Sequence, residues 1–140
     1  MTVPVFQRSG RGGEQMGRAI KERATVICRL EDKILFVRKP KSKWTLPGGR
    51  IEADEAPGQA AFRELVEETG LAVETLDYIA PLELYTTLHY VFEAPMPESQ
   101  QPTPLNEIAD CRWFSVEDLG KRSINKAIRR LLKTCQRPGA

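Results

Sequence analysis

Hydrophobic and polar positions along the chain predict most of its elements before any chemistry is considered. "ATVICRL" (24–30) and "ILFVR" (34–38) are short β-rich runs split by the polar "EDK", which predicts a hairpin without the ideal turn dipeptide. Pro47-Gly48-Gly49 marks a loop where the backbone must turn sharply or approach something closely. A helix follows. Pro57 falls in its first turn, where a missing N–H does no harm, and Gly70 fits the left-handed position just past its end. No good N-cap residue stands directly before Pro57, so the start is poorly defined. Ala61, Phe62, Leu65 and Val66 form the apolar side of this helix, and Glu64, Glu67 and Glu68 lie on an adjoining stripe, three and four apart.

Further strands are predicted around 72–80, 83–87, 88–94 and 110–114. Between the last two, "APMPESQQPTPLNE" (94–107) is a proline-rich loop that cannot join a central ladder and whose length suits a lid or a mobile connection. In "SINKAIRRLLKT" the residues Ile124, Ala127, Ile128, Leu131 and Leu132 recur at the helical period, which predicts a closing helix packed on the core with its basic residues on a solvated face. Residues 1–22 mix Gly, Arg and Gln without periodicity and are expected to form a flexible arm, a solvated tail rather than an RNA-binding one. Residues 23–137 are expected to form a single domain; no internal repeat is visible.

Composition narrows the class. A chain of 140 residues suits one domain, and 41% hydrophobic with 29% charged residues fits a globular protein rather than an extended disordered chain. No apolar run approaches the roughly 18–20 residues of a membrane span, and the N-terminus lacks the apolar stretch of a secretory signal, so a cytoplasmic location is expected. Cys28, Cys111 and Cys135 are too scattered for a C-x-x-C knuckle, and their odd number argues against a disulfide framework. The net charge of +2 conceals an uneven distribution. Arg38, Lys39, Lys41 and Lys43 fall within six residues, whereas between Gly49 and Leu71 the acids Glu52, Asp54, Glu55, Glu64, Glu67 and Glu68 face only Arg50 and Arg63. A basic run beside an acidic cluster is what an anionic substrate and a bound cation jointly require.

The acidic stripe sits where a helix least favours it. A helix C-terminus carries partial negative charge, and Glu64 and Glu68, four apart, are like charges that cost about 0.2–0.5 kcal/mol in an isolated helix. Hard divalent cations prefer oxygen ligands and are usually held by a few carboxylates together with substrate phosphates. Two such ions about 3.5–4 Å apart would polarise a phosphoryl oxygen, generate hydroxide and neutralise a leaving phosphate. Zinc suits the chain less well, since the only histidine is His89 and no cysteine pair is close in sequence. Taken alone, the three glutamates fit a solvated helix face better than a metal site.

The full spacing of "GRIEADEAPGQAAFRELVEETGL" (49–71) resembles the signature of the Nudix hydrolase family: Gly, five residues, Glu, seven residues, Arg-Glu, an aliphatic, any residue, Glu-Glu, any residue, Gly, an aliphatic. Gly49, Glu55, Arg63, Glu64, Leu65, Glu67, Glu68, Gly70 and Leu71 meet it with no departure at a fixed position, and the preceding "WTLPGG" also resembles the usual approach to that motif. The resemblance implies an α/β (α+β) fold, an α/β/α sandwich with a mixed β-sheet between helices, extending over roughly residues 24 to 134. It implies hydrolysis, dependent on Mg²⁺ with Mn²⁺ as a substitute, of a phosphoanhydride in a nucleoside diphosphate linked to another group. By that match Glu64, Glu67 and Glu68 bind metal, joined by the backbone carbonyl of Gly48; Arg63 orients the carboxylates; and Glu55 supports the loop or a metal-bound water.

In the family the base that takes a proton from water is either a signature glutamate, here Glu64, or a glutamate from a later loop. Glu107 is the candidate for the second, ahead of Glu98 and Glu93. Arg38, Lys39, Lys41 and Lys43 are candidates for substrate phosphates. Trp44, Tyr85, Tyr90 and Trp113 are candidate stacking platforms, each with core packing as the stronger expectation, and His89 reads as structural. Nucleoside triphosphates or related polyphosphates are the expected substrates. Neither a membrane nor nucleic acid is expected as a partner, and the chain is expected to act as a monomer or homodimer. The rival reading is a noncatalytic nucleotide sensor or RNA-binding module, against which the intact Arg63-Glu64 and Glu67-Glu68 argue.

Overall fold

The computed structural model describes residues 20–135. Residues 1–19, most of the expected arm, and 136–137 at the end of the expected domain lie outside the described residues. Lys21 and Glu22, assigned to the arm from sequence, instead open the first strand. The strands are β1 (Lys21–Leu30), β2 (Lys33–Arg38), β3 (Gly48–Arg50), β4 (Asp77–Leu84), β5 (Thr87–Pro95) and β6 (Asp110–Ser115); the helices are α1 (Pro57–Thr69) and α2 (Lys126–Thr134), with a 3₁₀ turn at Val116–Lys121.

One mixed sheet runs in the order β4-β5-β1-β2-β6, with β3 paired to β1 off that path. The β1/β5 pair is parallel and the others antiparallel. Alternation along β1 explains the layers, because successive strand residues face opposite sides. Ala24, Val26 and Cys28 join Tyr90, Phe92 and Ala94 beneath α1, which contributes Ala60, Ala61 and Leu65. Ile27 joins Phe36, Val91 and Phe114 on the other face, beneath Ile128 and Leu131 of α2. The sheet is therefore buried on both sides, and the expected sandwich is what the chain forms. Among the described residues, no helix is long and apolar enough to cross a membrane.

Three local expectations need correction. Pro47-Gly48-Gly49 leads into a short strand rather than a loop: Gly48 pairs with Thr25 so closely that a Cβ on Gly48 would sit 2.0 Å from the Ala24 carbonyl oxygen. The expectation of close approach holds, and it serves pairing. The predicted strands at 72–80 and 83–87 become the single strand β4, and the chain reverses at Tyr85, whose φ of 57° supplies the left-handed turn without a glycine. β4 tolerates Pro81 because it is an edge strand. Last, the buried side of α1 comprises Ala60, Ala61, Leu65, Glu68 and Thr69, while Phe62 and Val66 remain 43% and 37% exposed. Small residues face the sheet, and the helix sits close enough to it to bury a carboxylate.

Candidate active site

The start of α1 lacks a capping side chain at Ala56; Gln59 compensates by accepting the Ala56 N–H at 2.8 Å. At its other end Gly70, with φ of 74°, donates its N–H to the Val66 carbonyl. The remaining carbonyls of the last turn, which a helix leaves without partners, are taken by the proline-rich loop. Thr103 N–H donates to Thr69 O at 2.9 Å, Leu105 N–H to Glu68 O at 3.1 Å, and the Asn106 amide to Glu67 O at 2.7 Å. The loop is thereby latched to α1, and Glu107 follows directly at the edge of a groove of about 570 Å³.

Arg63 answers much of the charge problem on α1. Its Nε and Nη2 grip Glu55 at 2.6 and 2.9 Å, Nη1 reaches Glu64 at 3.0 Å and Glu67 at 3.4 Å, and Nη2 also donates to the Arg50 carbonyl. A fork of this kind recognises carboxylates bidentately. The Arg63 hydrogen bond holds the Glu55 carboxyl below its usual pKa, and Glu55 in turn stabilises the guanidinium charge.

Glu68 is satisfied differently. Its carboxylate accepts the Gly48 N–H at 3.1 Å, yet burial pushes its pKa up to about 8, with the charges of Glu64 and Glu107 acting in the same direction. Burial likewise raises Glu64. Burial disfavours the ionised form of both, against the opposing pull of Arg63 on Glu64 and of Arg23 on Glu68. Gly49 lets Glu64 come close, since a Cβ there would lie 2.4 Å from Glu64 Oε2.

The groove is lined by the acids Glu64, Glu68 and Glu107, by the bases Arg23, Lys39, Lys43 and Arg50, and by Gly48 and Gly49, with Arg23 close enough to Glu68 and Glu64 to act on their charges. Of the residues expected at a site, Glu64, Glu68, Glu107, Gly48, Lys39 and Lys43 are thus brought together. Glu55 and Glu67 stand behind them on Arg63, the Glu67 side chain being 52% exposed. Arg38 and Lys41 are not in the groove wall: the Arg38 guanidinium lies over the Trp44 ring at 4.5 Å, and Lys41 occupies a left-handed turn. Glu93 is buried and ion-paired with Arg29, and Glu98 is exposed outside the groove.

Among the described residues no aromatic ring lines the groove. Trp44 is buried edge-on against Phe114, Tyr90 and Trp113 pack in the α1-side core, and Tyr85 lies under Lys126. Arg23, Arg50 and Asn125 were not picked out as site residues from sequence. The one available signal was a charged residue, Arg23, inside the β-rich run "KERATVICRL". Asn125 arrives because Trp44 pairs with the segment before α2, its carbonyl accepting the Asn125 N–H at 2.8 Å.

The donor set suits a hard cation. Every candidate ligand is an oxygen, and the raised pKa values of Glu64 and Glu68 mark carboxyls for which a nearby cation would favour the ionised form. Among the described residues, no three His, Cys, Asp or Glu side chains form a ready-made metal cage. Glu64 and Glu67 are turned toward Arg63.

Carboxylates and cations lining one groove suit attack by water on a phosphoanhydride, the chemistry of a phosphoanhydride hydrolase. A family model described as the NUDIX domain matches residues 20–135. The phosphatase NudJ of Shigella boydii is 34% identical over 115 residues, covering 74% of this chain and 74% of the relative. A Nudix hydrolase family member from Chromobacterium violaceum superposes with a TM-score of 0.69 at 28% identity, over 86% of this chain and 82% of that one. The Nudix domain of Shewanella oneidensis NrtR, solved with ADP-ribose, shares the fold at a TM-score of 0.72 and 16% identity, over 91% and 96% of the two chains. The chain belongs to the Nudix hydrolase family.

Proposed function

We propose that this hydrolase acts with Mg²⁺, or Mn²⁺ in its place, on a nucleoside diphosphate linked to another group, with nucleoside triphosphates and related polyphosphates as the leading substrates. The observation that carries the reading is that Glu64 and Glu68, both with raised pKa values, line one groove together with Arg23, Lys39 and Lys43. Glu64, Glu67, Glu68 and the Gly48 carbonyl would hold the metal. When bound, the ion polarises phosphoryl oxygens and lowers the pKa of water.

The chain's own residues do the rest. Arg63 holds Glu55, Glu64 and Glu67 in register, so that release of Glu64 and Glu67 from its Nη1 frees oxygens for a cation while Glu55 stays gripped. Arg23, Lys39 and Lys43 meet the phosphates. Glu107, exposed at the groove edge, is the group best placed to take the proton from attacking water, with Glu64 as the alternative. The test is a panel of nucleoside triphosphates, dinucleoside polyphosphates, nucleotide sugars and ADP-ribose, reading released phosphate or pyrophosphate. Turnover of a triphosphate or polyphosphate member above the others is the expected result. No turnover of any member would leave the sensor or RNA-binding reading in its place.

A further inference from the structure

Beside the groove runs a buried polar chain that hydrolysis by itself does not explain. The parallel register sets Arg23 opposite His89, and Thr25, two residues along β1, shares that face. The same face carries Ile27 and Val91 into the apolar cluster under α2. Thr25 is fully buried and His89 is 4% exposed. Polar groups in such a place are costly unless they are hydrogen-bonded.

They are bonded to one another and to Arg23. Arg23 Nε donates to Thr25 Oγ1 at 3.1 Å, and Thr25 Oγ1 lies 2.9 Å from His89 Nδ1. A hydroxyl has one hydrogen to give. Thr25 Oγ1 accepts from Arg23 and either gives that hydrogen to Nδ1 or accepts one from it, so the two side chains stay bonded in either imidazole tautomer. Burial and the neighbouring Arg23 charge both favour neutral imidazole. A second anchor runs from Arg23 Nη2 to the Leu46 carbonyl at 2.8 Å. Two bonds from different nitrogens fix the plane of a guanidinium. Among the described residues Arg23 Nη1 has no hydrogen-bond partner, and Arg23 lines the groove.

We propose that Thr25, oriented by His89, is a positioning residue that fixes the guanidinium plane of Arg23 so that its free edge meets a substrate phosphate oxygen. The proposal rests on the reading of the groove as a phosphate site. Thr25 touches no substrate; it acts through Arg23.

Two substitutions separate hydrogen bonding from packing. Thr25→Val keeps the volume and removes the hydroxyl; Thr25→Ser keeps the hydroxyl and removes a methyl. Kinetics are read on the panel member that the unmodified chain turns over fastest, beside a thermal unfolding midpoint for each variant. Loss of one charge-assisted bond should raise KM about tenfold in Thr25→Val with kcat within about threefold, while Thr25→Ser stays within about threefold in both. Should the valine variant not fold, Thr25→Ala against Thr25→Ser makes the same comparison. If valine behaves as threonine does, or serine is as damaging as valine, the positioning role is overturned. Arg23→Gln separates the two levels. A raised KM in Arg23→Gln with normal Thr25→Val sinks only the positioning role. An unchanged KM in Arg23→Gln, or no turnover of any panel member by the unmodified chain, sinks the phosphate reading and the proposal with it.

Discussion

Gly48 and Gly49 are neighbours whose missing side chains serve different ends. A Cβ on Gly48 would meet the Ala24 backbone at 2.0 Å, with φ at +150°, so nothing nearby can yield. A Cβ on Gly49 would meet the end of the Glu64 side chain at 2.4 Å, and that side chain can swing away. We therefore expect Gly48→Ala to cost roughly 2–4 kcal/mol of stability by denaturant unfolding. Gly49→Ala should unfold within about 1 kcal/mol of the parent yet lose roughly ten- to a hundredfold in kcat as Glu64 is displaced. Equal losses of stability in the two variants would contradict this division. The glycine and carboxylate positions were legible in sequence because they stand at fixed offsets along one segment. The basic lining of the groove was only half legible. Of four adjacent basic residues, Lys39 and Lys43 reach the groove, whereas Arg38 is drawn onto Trp44, a tertiary contact that linear charge density does not reveal. Arg23 was not legible as a site residue, because pairing of β1 with β3 and β5 brings it there.

At the scale of elements, α1 and the loop latched to its end form one device. Asn106, with φ of 56°, both turns the chain and donates to the Glu67 carbonyl, immediately before Glu107. Asn106→Ala should cost about 1 kcal/mol through the lost bond and lower kcat more than it raises KM, because Glu107 loses its anchor. Amide exchange in the last turn of α1 should quicken in the same variant. A normal kcat with faster exchange would remove Glu107 from the reaction. The helix end was visible from Gly70, which acts locally, whereas Pro57 marked the first turn without fixing the start. The loop's latch was not, since its partners are carbonyls more than thirty residues away in sequence. The β4/β5 reversal was misplaced for a related reason: Tyr85 adopts a left-handed turn that its residue type disfavours.

Across the whole molecule, the sheet is buried on both faces, and His89 is a basic group held neutral inside it. Its folded pKa is pulled down to about 4 from an ordinary 6.5, mainly by burial. The sign follows from that depression: the neutral form contributes its stability fully above about pH 6.5 and loses it as pH falls through about 4. The loss should amount to roughly 3 kcal/mol, and His89→Gln, whose amide can still hydrogen-bond Thr25, should flatten the stability profile between those values relative to the parent. Identical profiles would show that His89 carries no such penalty. The claim on which the function rests is that buried oxygens of α1 need a divalent cation to split a phosphoanhydride. The most direct measurement is the initial rate of hydrolysis of the preferred polyphosphate against Mg²⁺ concentration, in the parent chain and in Glu68→Gln at equal folded fraction. We expect a saturable rise that a chelator abolishes and that Glu68→Gln lowers by roughly a hundredfold or more. A rate indifferent to the chelator, or a Glu68→Gln variant as active as the parent, would contradict it.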